Sequence, residues 1–524
     1  MSFSTILGEP TEETLSKPTV ETVTESNSRA SDWEIYGVSD GNGNLHLTEE
    51  VDQTTSQMRH LSCDSRFEDE ELGHSFRRYG GKKFDKSVPK VPYVPIERSV
   101  DLIYEEDLKN AGGYFHSDDF DDDIVVIDTG NSNPIKFDDW KECEFSPRLY
   151  DNILKSGYTK PRKIQAFTMP YICQLQDIVA QSETSSGKSA AFILPIIDYI
   201  LKENPERKLR APLAIIISPT RELALQTHEQ ARKFCCAIPV TCAKAYGQYS
   251  MSENLKELEN GCDILSTTPG RLKHFCESGE LNLEDVKFLV LDEADELHAN
   301  SFSTVIKQAL EAGNCPDKEK RTTLLFSATF PLEIQSFTEA LLKPNHVTVL
   351  NKNCNTVNKR VIHNFVEMKQ SGKSQALVNL ILECRKESNG VQEVPRTLVF
   401  VGTKRLADTL AIYLVDKKIN SVSLNGDRPQ KLREEALNDF RAHRVDVVVA
   451  TDVCARGLDI KDLDHVIQYD LPSDFTTFIH RSGRTGRNKI GTCTTYYNNE
   501  KDEAMKEQLV AMLTQLGQEI PQFF

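Results

Sequence analysis

Three stretches of the chain hold residues whose types and spacing suit phosphate chemistry. Ser182-Glu183-Thr184-Ser185-Ser186-Gly187-Lys188-Ser189 follows the apolar Ile178-Val179-Ala180 and precedes an apolar stretch of helical period. Strand, loop and helix in that order let backbone N–H groups at a helix start hold phosphate oxygens. Lys188 supplies a point charge there, and the Ser189 hydroxyl can ligate Mg²⁺. The loop departs from the strict GxxxxGK[ST] pattern, because Ser182 stands at its first glycine. The second stretch is Asp292-Glu293-Ala294-Asp295, after the apolar Phe288-Leu289-Val290-Leu291. A carboxylate at a strand's carboxyl end, downstream of a phosphate loop, suits metal coordination. That gives Asp292 the metal and Glu293 the attacking water; the plainer reading of either acid is a polar turn that starts a helix. The third is His480-Arg481-Ser482-Gly483-Arg484-Thr485-Gly486-Arg487. Its three arginines, spaced by three, are expected on one side of a helical turn. They suit either the terminal phosphate of a nucleotide held elsewhere in the chain or the phosphates of RNA.

Such groups need rigid elements beneath them. From about residue 134, short apolar runs alternate with helical stretches: Leu213–Ile217, Phe288–Leu291, Leu324–Phe326 and Val347–Leu350. After a gap near Asn351–Lys359 the alternation resumes with Thr397–Val401, Val445–Val449 and His465–Tyr469. Fully apolar strands separated by helices imply parallel sheets covered on both faces. Two such blocks imply two doubly wound α/β domains, with ligands at the carboxyl ends of the strands. The expected boundaries are a disordered acidic tail over 1–90, an extended pre-core segment over 91–133, a first domain over 134–355 and a second over 356–524.

The net charge of −17 looks unsuited to a polyanion, but it is unevenly placed. Residues 1–133 carry 28 acidic and 12 basic side chains, whereas the rest carries 51 and 50. A near-neutral body can still hold a basic groove. The first 90 residues lack apolar periodicity, and their composition predicts disorder. Within them Phe76-Arg77-Arg78-Tyr79-Gly80-Gly81-Lys82-Lys83 is a small basic, aromatic island, read as solvated linker ahead of a transient contact with RNA. Further on, Asp118–Asp123 is an acidic run of the kind that is usually solvated. Thirteen cysteines form no CxxC pair, and Cys235 and Cys236 are adjacent. They read as reduced thiols, with no zinc site. No apolar run reaches the ~20 residues of a membrane helix. Without a signal pattern or a strong basic import cluster, the cytoplasm is the expected location.

Further motifs occur in a fixed order: Pro219-Thr220-Arg221-Glu222-Leu223-Ala224, Thr268-Pro269-Gly270-Arg271, Ser327-Ala328-Thr329, Phe400-Val401-Gly402-Thr403-Lys404, Gln430 with Arg433, and Ala450-Thr451-Asp452 leading to Arg456-Gly457-Leu458-Asp459. Gly157-Tyr158, Pro161 and Ile164-Gln165 lie upstream of the phosphate loop. With these the chain resembles the DEAD-box RNA helicases over roughly residues 91–524. Tyr93-Val94-Pro95, the stretch Asp122–Thr129, and Thr129-Gly130-Asn131 leading to Pro134-Ile135 and Phe137 are similar to that family's Vasa and Belle branch.

The resemblance implies two tandem RecA-like domains that clamp RNA when ATP and Mg²⁺ bind between them. It implies that Gln165 reads the adenine edge and that Phe137, or else Trp140, packs on the ring. The loop Ser182–Ser189 would hold the phosphates, Ser189 and Asp292 the metal, and Asp459 the ribose. Lys188, Glu293, Arg484 and Arg487 would carry catalysis. Asp295, Ser327, Thr329 and His480 would couple ATP to closure. Thr220, Arg221, Thr268, Arg271, Arg433 and Thr451 would line the RNA backbone, which explains little sequence preference. The branch implies cytoplasmic RNA, with perinuclear germ granules and small-RNA silencing as settings, and protein partners through the acidic tail. Four residues depart from the family pattern. Glu183 replaces the usual Gln and Ser185 the usual Gly, Gln248 follows Gly247 where a second glycine is common, and Arg162 stands where a small hydroxyl residue is usual. Two functions follow from these features: an ATP-hydrolysing helicase for short duplexes or RNA–protein complexes, or a slow-turnover ATP-gated clamp that nucleates an assembly. A DNA helicase fits the motif set less well.

Overall fold

The computed structural model describes residues 93–110, 123–128, 130, 133–182, 186–259, 261–299, 301–330, 333–352, 358–388, 391–452, 463–486 and 489–524, with a short ribbon at Val38–Ser39 and Leu45–His46. The expected disorder of the tail, the island at 76–83, the acidic run up to Asp122, and the roles given to Glu183, Thr184, Ser185, Asp459 and Arg487 lie outside the described residues.

The first half is built on an eight-stranded sheet. Its strands are β1 (Ile124–Ile127), β2 (Ile178–Gln181), β3 (Ala214–Ile217), β4 (Cys242–Ala245), β5 (Ile264–Thr267), β6 (Phe288–Asp292), β7 (Thr322–Ser327) and β8 (Val347–Asn351). Their spatial order is β1-β8-β2-β7-β6-β3-β5-β4. Every pairing is parallel except that of β1 with β8. The second half has a six-stranded parallel sheet of β9 (Val361–Glu367), β10 (Thr397–Phe400), β11 (Ser421–Leu424), β12 (Val447–Ala450), β13 (His465–Gln468) and β14 (Gly491–Tyr497), ordered β9-β14-β13-β10-β12-β11. Helices cover both faces, so Ile178, Ile215, Val290 and Leu324 are fully buried. Each such side chain contributes about 1.5–3 kcal/mol relative to exposure. That explains why the strands read as unbroken apolar runs.

Register decides where the chemistry gathers. Gln181 of β2 lies opposite Ser327 of β7, and Asp292 of β6 lies opposite Phe326 of β7. The carboxyl ends of β2, β6 and β7 therefore meet at one edge, where the phosphate loop, the acidic motif and Ser327-Ala328-Thr329 all begin. In the second half Phe400 lies opposite both Ala450 and Gln468, which brings together Gly402, Thr451 and Asp470.

The segment over 91–133 is not extended throughout. It holds a helix at Val100–Asn110 and the antiparallel edge strand β1. Ile103 and Tyr104 of the helix are buried. Arg98 grips Glu229 with N···O distances of 2.8 and 2.7 Å, and Lys233 pairs with Asp107 at 2.6 Å with both side chains out of solvent. No described helix is long and apolar enough to cross a membrane.

Candidate active site and nucleic-acid interface

The phosphate loop ends at Gly187, which caps the start of the helix Lys188–Glu203 with φ +96°. A Cβ there would also stand 2.5 Å from Gln165 Nε2. Glycine is thus required twice, by backbone and by space. Gln165 donates from Nε2 to the Gly187 carbonyl at 3.0 Å and accepts the Arg162 N–H at 2.9 Å. Gln165, expected at the adenine edge, is thus tied to the phosphate loop. Lys188 is buried and donates to the Ser182 carbonyl at 2.9 Å, while the Ser182 N–H donates to Ser327 at 3.0 Å. Ser186 and Ser189 are half-buried at the mouth of the same helix. Phe137 is half-buried, and its N–H donates to Ala166 at 3.0 Å, one residue from Gln165. Trp140 is 1% exposed and stacks on Tyr158, so the core takes it and Phe137 is the aromatic left for a base.

Asp292 and Glu293 are both buried, and the Glu293 N–H donates to Asp292 Oδ1 at 3.1 Å. Burial pushes the Asp292 carboxyl upward; the nearby Lys188 charge opposes it. Burial, and then the charge of Asp292, pushes Glu293 up to about 8, against the pull of Arg484 and Lys188. Arg484 comes from the second half and is itself buried, so a charge of that half acts on this carboxylate. The buried Asp292 carboxylate and the half-buried Ser189 hydroxyl are hard oxygen donors of the kind that suits Mg²⁺.

Asp295, Ser327 and Thr329 form one network. Asp295 N–H donates to Ser327 Oγ at 3.2 Å, Thr329 Oγ1 donates to Asp295 at 2.8 Å, and Ser327 Oγ donates to the Thr329 carbonyl at 2.7 Å. His480 lies half-buried in the last turn of the helix Phe475–Ser482. That helix stops at Ser482, with Gly483 as its cap, so Arg481 and Arg484 do not share a helical face. Arg481 turns inward to a two-pronged contact with Asp452, at 2.6 and 2.7 Å. Arg484 follows in the turn, its Nε donating to the His480 carbonyl at 3.1 Å.

A second region lies beyond the ends of β3 and β5, where Ile217 and Thr267 are in register. Thr220 caps the helix Arg221–Phe234, accepting the Leu223 N–H at 3.3 Å. Thr268 caps the helix Pro269–Glu277, whose Gly270 faces open space. Arg271 donates to the Tyr249 carbonyl at 3.0 Å. Burial and the charge of Arg221 hold its guanidinium below the usual arginine range. Two neighbouring cations beside two helix starts attract phosphate oxygens. Thr451 sits at the end of β12, its N–H donating to Leu424 at 3.3 Å. Arg433, expected on RNA, is engaged by Glu222 of the first half at 2.7 Å. Elsewhere Glu97, His228 and Glu257 bring possible metal ligands within 4.8 Å of one another. Lys244 Nζ already bridges their carboxylates at 2.7 and 3.0 Å, so an ammonium neutralises that cluster.

Reading along the chain missed the partners of the second half: Glu222 for Arg433, Gln248 for Gln430, and Tyr93 and Tyr246 for Glu434. No spacing rule links residue 93 to residue 434.

The family model described as DEAD/DEAH box helicase matches residues 162–337, and that described as Helicase conserved C-terminal domain matches 372–489. The chain is 37% identical over 449 residues to the probable ATP-dependent RNA helicase DDX4 of Homo sapiens, covering 84% of this chain and 60% of that protein. It is 36% identical over 449 residues to the ATP-dependent RNA helicase DDX4 of Mus musculus, covering 84% and 62%. The chain thus spans about three-fifths of the length of the curated relatives it matches. Among solved structures, S. cerevisiae Dbp5 bound to RNA and ADP BeF3 is 26% identical with a TM-score of 0.61, covering 73% of this chain and 95% of that one.

Proposed function

The chain belongs to the DEAD/DEAH box helicase family, and from that premise we propose that it is an RNA-dependent ATPase that grips the RNA backbone when its halves close on ATP, and that opens short duplexes or remodels RNA–protein complexes. The observation that carries this reading is the meeting of the halves, with Glu222 on Arg433 at 2.7 Å and the charge of buried Arg484 acting on buried Glu293. A nucleotide seated on the Gly187–Lys188 loop is then enclosed by groups from both.

In this reading Gln165 and Phe137 take the base, and Ser182, Ser186, Gly187 and Lys188 take the phosphates. Ser189 and Asp292 would hold Mg²⁺, which supplies positive charge against the phosphate oxygens. Glu293 orients a water and accepts its proton, and Arg484 stabilises charge as the terminal phosphate leaves. The Asp295–Ser327–Thr329 network connects the acidic strand end to β7, and in this reading His480 couples to it from the second half. Thr220, Arg221, Thr268, Arg271 and Thr451 contact RNA phosphates, so binding carries little sequence preference. We place the protein in the cytoplasm, with RNA granules as a site of action, on its likeness to the Vasa and Belle branch. The slow-turnover clamp is favoured by one feature, the dense polar contact between the halves at Glu222, Gln430 and Arg433.

The test is the rate of RNA dissociation in ATP and Mg²⁺ for wild type, Lys188→Ala and Glu293→Gln. Glutamine keeps the size of Glu293 but accepts no proton, so the closed state accumulates and RNA release slows. Lys188→Ala weakens retention. Equal release from the two variants would show that ATP does not latch the clamp.

A further inference from the structure

The helix Gln430–Arg441 of the second half begins after Pro429, which supplies neither a capping side chain nor an N–H. Its first N–H donates instead to Gln248 Oε1 of the first half, at 3.1 Å. Gln248 sits at φ +66°, the left-handed region that favours glycine. The chain thus keeps a side chain at a position whose backbone favours having none. That side chain is what reaches the other half.

One turn further along the same helix, Glu434 is 7% exposed and is held by the first half. Tyr246 donates its hydroxyl to Glu434 Oε1 at 3.1 Å, and the Tyr93 hydroxyl donates to Glu434 Oε2. Tyr93 belongs to the segment ahead of the first sheet. Its carbonyl accepts the Ser250 N–H at 2.7 Å, close to Gln248 in the chain. Tyr93 and Gln248 therefore extend from one anchored patch and reach one helix. A buried carboxylate needs every donor it can find. When the halves part, Glu434 gains water and these bonds are lost.

We infer that Tyr93 and Gln248 are positioning residues of the closed state, which brace the Gln430–Arg441 helix against the first half and set how long RNA is held. The inference rests on the proposed ATP-gated grip. Neither residue belongs to the nucleotide or RNA contacts assigned above. Gln248 gives this chain a bond that glycine at the same position lacks, which lengthens the clamped state.

The experiment uses the full chain and a fluorescently labelled single-stranded RNA. Release is timed with a non-hydrolysable ATP analogue plus Mg²⁺, and separately with ADP. Wild type, Tyr93→Phe, Gln248→Gly and the double variant are compared, each with its melting temperature. With the analogue, Tyr93→Phe should release RNA on the order of tenfold faster, since it loses a bond to a charged acceptor. Gln248→Gly should release it about two- to fivefold faster while its melting temperature holds or rises, because glycine relieves the backbone. With ADP all four proteins should release alike. Wild-type release in both single variants, with normal retention by wild type, overturns the inference and leaves the grip standing. Equal acceleration with analogue and ADP, or a lowered melting temperature in Gln248→Gly, also overturns it, because the residues then support the fold at large. If wild type itself releases RNA equally fast with analogue and ADP, the grip fails and this inference with it.

Discussion

Glu222 in the first half and Arg433 in the second meet at 2.7 Å, with side-chain exposures of 3% and 6%. Gln430 Nε2 donates to the same glutamate at 3.1 Å. A desolvated pair gains little net stability over water, but removing one partner strands the other charge at a cost of about 3–5 kcal/mol. Opening the halves avoids that cost, since both groups regain water. Glu222→Gln should therefore leave the melting temperature of the nucleotide-free protein near wild type and lower RNA-stimulated ATPase activity at least about tenfold, a small part of that range. Steady-state ATPase across an RNA titration checks this. A rate near wild type at saturating RNA would mean that the pair does not limit closure.

Gly187 faces two constraints, its φ of +96° and the 2.5 Å approach of Gln165 to any added Cβ. Gly187→Ala should push Gln165 off the loop and cost nucleotide binding more than folding. The expected outcome is a Kd for ATP raised at least about tenfold, roughly 1.4 kcal/mol, with a change of a few degrees or less in melting temperature. Titration calorimetry and a thermal scan on one preparation measure both. An unchanged Kd would show that the loop tolerates a side chain there.

Burial and the charge of Asp292 raise the Glu293 carboxyl to about 8. An unfolded glutamate ionises near 4.3. Between those values the native protein binds the extra proton, so this group lowers stability progressively as pH rises from about 4 to 8. Glu293→Gln removes that penalty. At pH 8 it should melt higher than wild type, by at least about 1 kcal/mol, and at pH 4.5 the two should coincide. Hydrolysis, which needs the carboxylate, should be abolished at both. A lower melting temperature for the variant at pH 8 would contradict the raised carboxyl.

The sheets were legible because burial on both faces leaves an apolar signature. Phe288–Leu291 and Val347–Leu350 were read within a residue of the observed β6 and β8. β4 escaped, since Cys242-Ala243-Lys244-Ala245 carries a lysine that stays buried only through Glu97 and Glu257. The helix Val100–Asn110 escaped because charged residues such as Asp107 lie on its buried side, neutralised by Lys233 from far along the chain. In the site, Lys188, Asp292 and Glu293 stand at or just beyond the ends of apolar strands, and that placement is what the apolar runs mark. Arg433, which the resemblance sets on the RNA backbone, pairs with Glu222 of the other half, a partner no local spacing reveals. Tertiary pairing of charges is what local pattern cannot carry.

The pre-core segment sharpens what a truncation should do. Arg98 holds Glu229 with two bonds and Glu106 with two more. Tyr104 donates to the Lys233 carbonyl at 2.8 Å, and the Lys233 ammonium pairs with Asp107 at 2.6 Å at 0% exposure. A deletion that ends at residue 92 leaves all of these in place and should preserve RNA-stimulated ATPase activity. A deletion that ends at residue 110 takes away Arg98, Tyr104 and Asp107 together. Lys233 then loses its carboxylate partner and keeps Gln230, at 2.8 Å. Removing one partner of a buried pair costs about 3–5 kcal/mol, and baring the face that covered Ile103 and Tyr104 adds to it. The longer deletion should lower the melting temperature by several degrees or more. Asp107→Ala in the full chain should give part of that loss, and Asp107→Asn, which keeps an acceptor, less than Asp107→Ala. Thermal unfolding of the four proteins, with ATPase activity measured beside it, decides the matter. If the deletion to 110 melts with the deletion to 92, the segment is an appendage and its ion pairs contribute nothing to the fold.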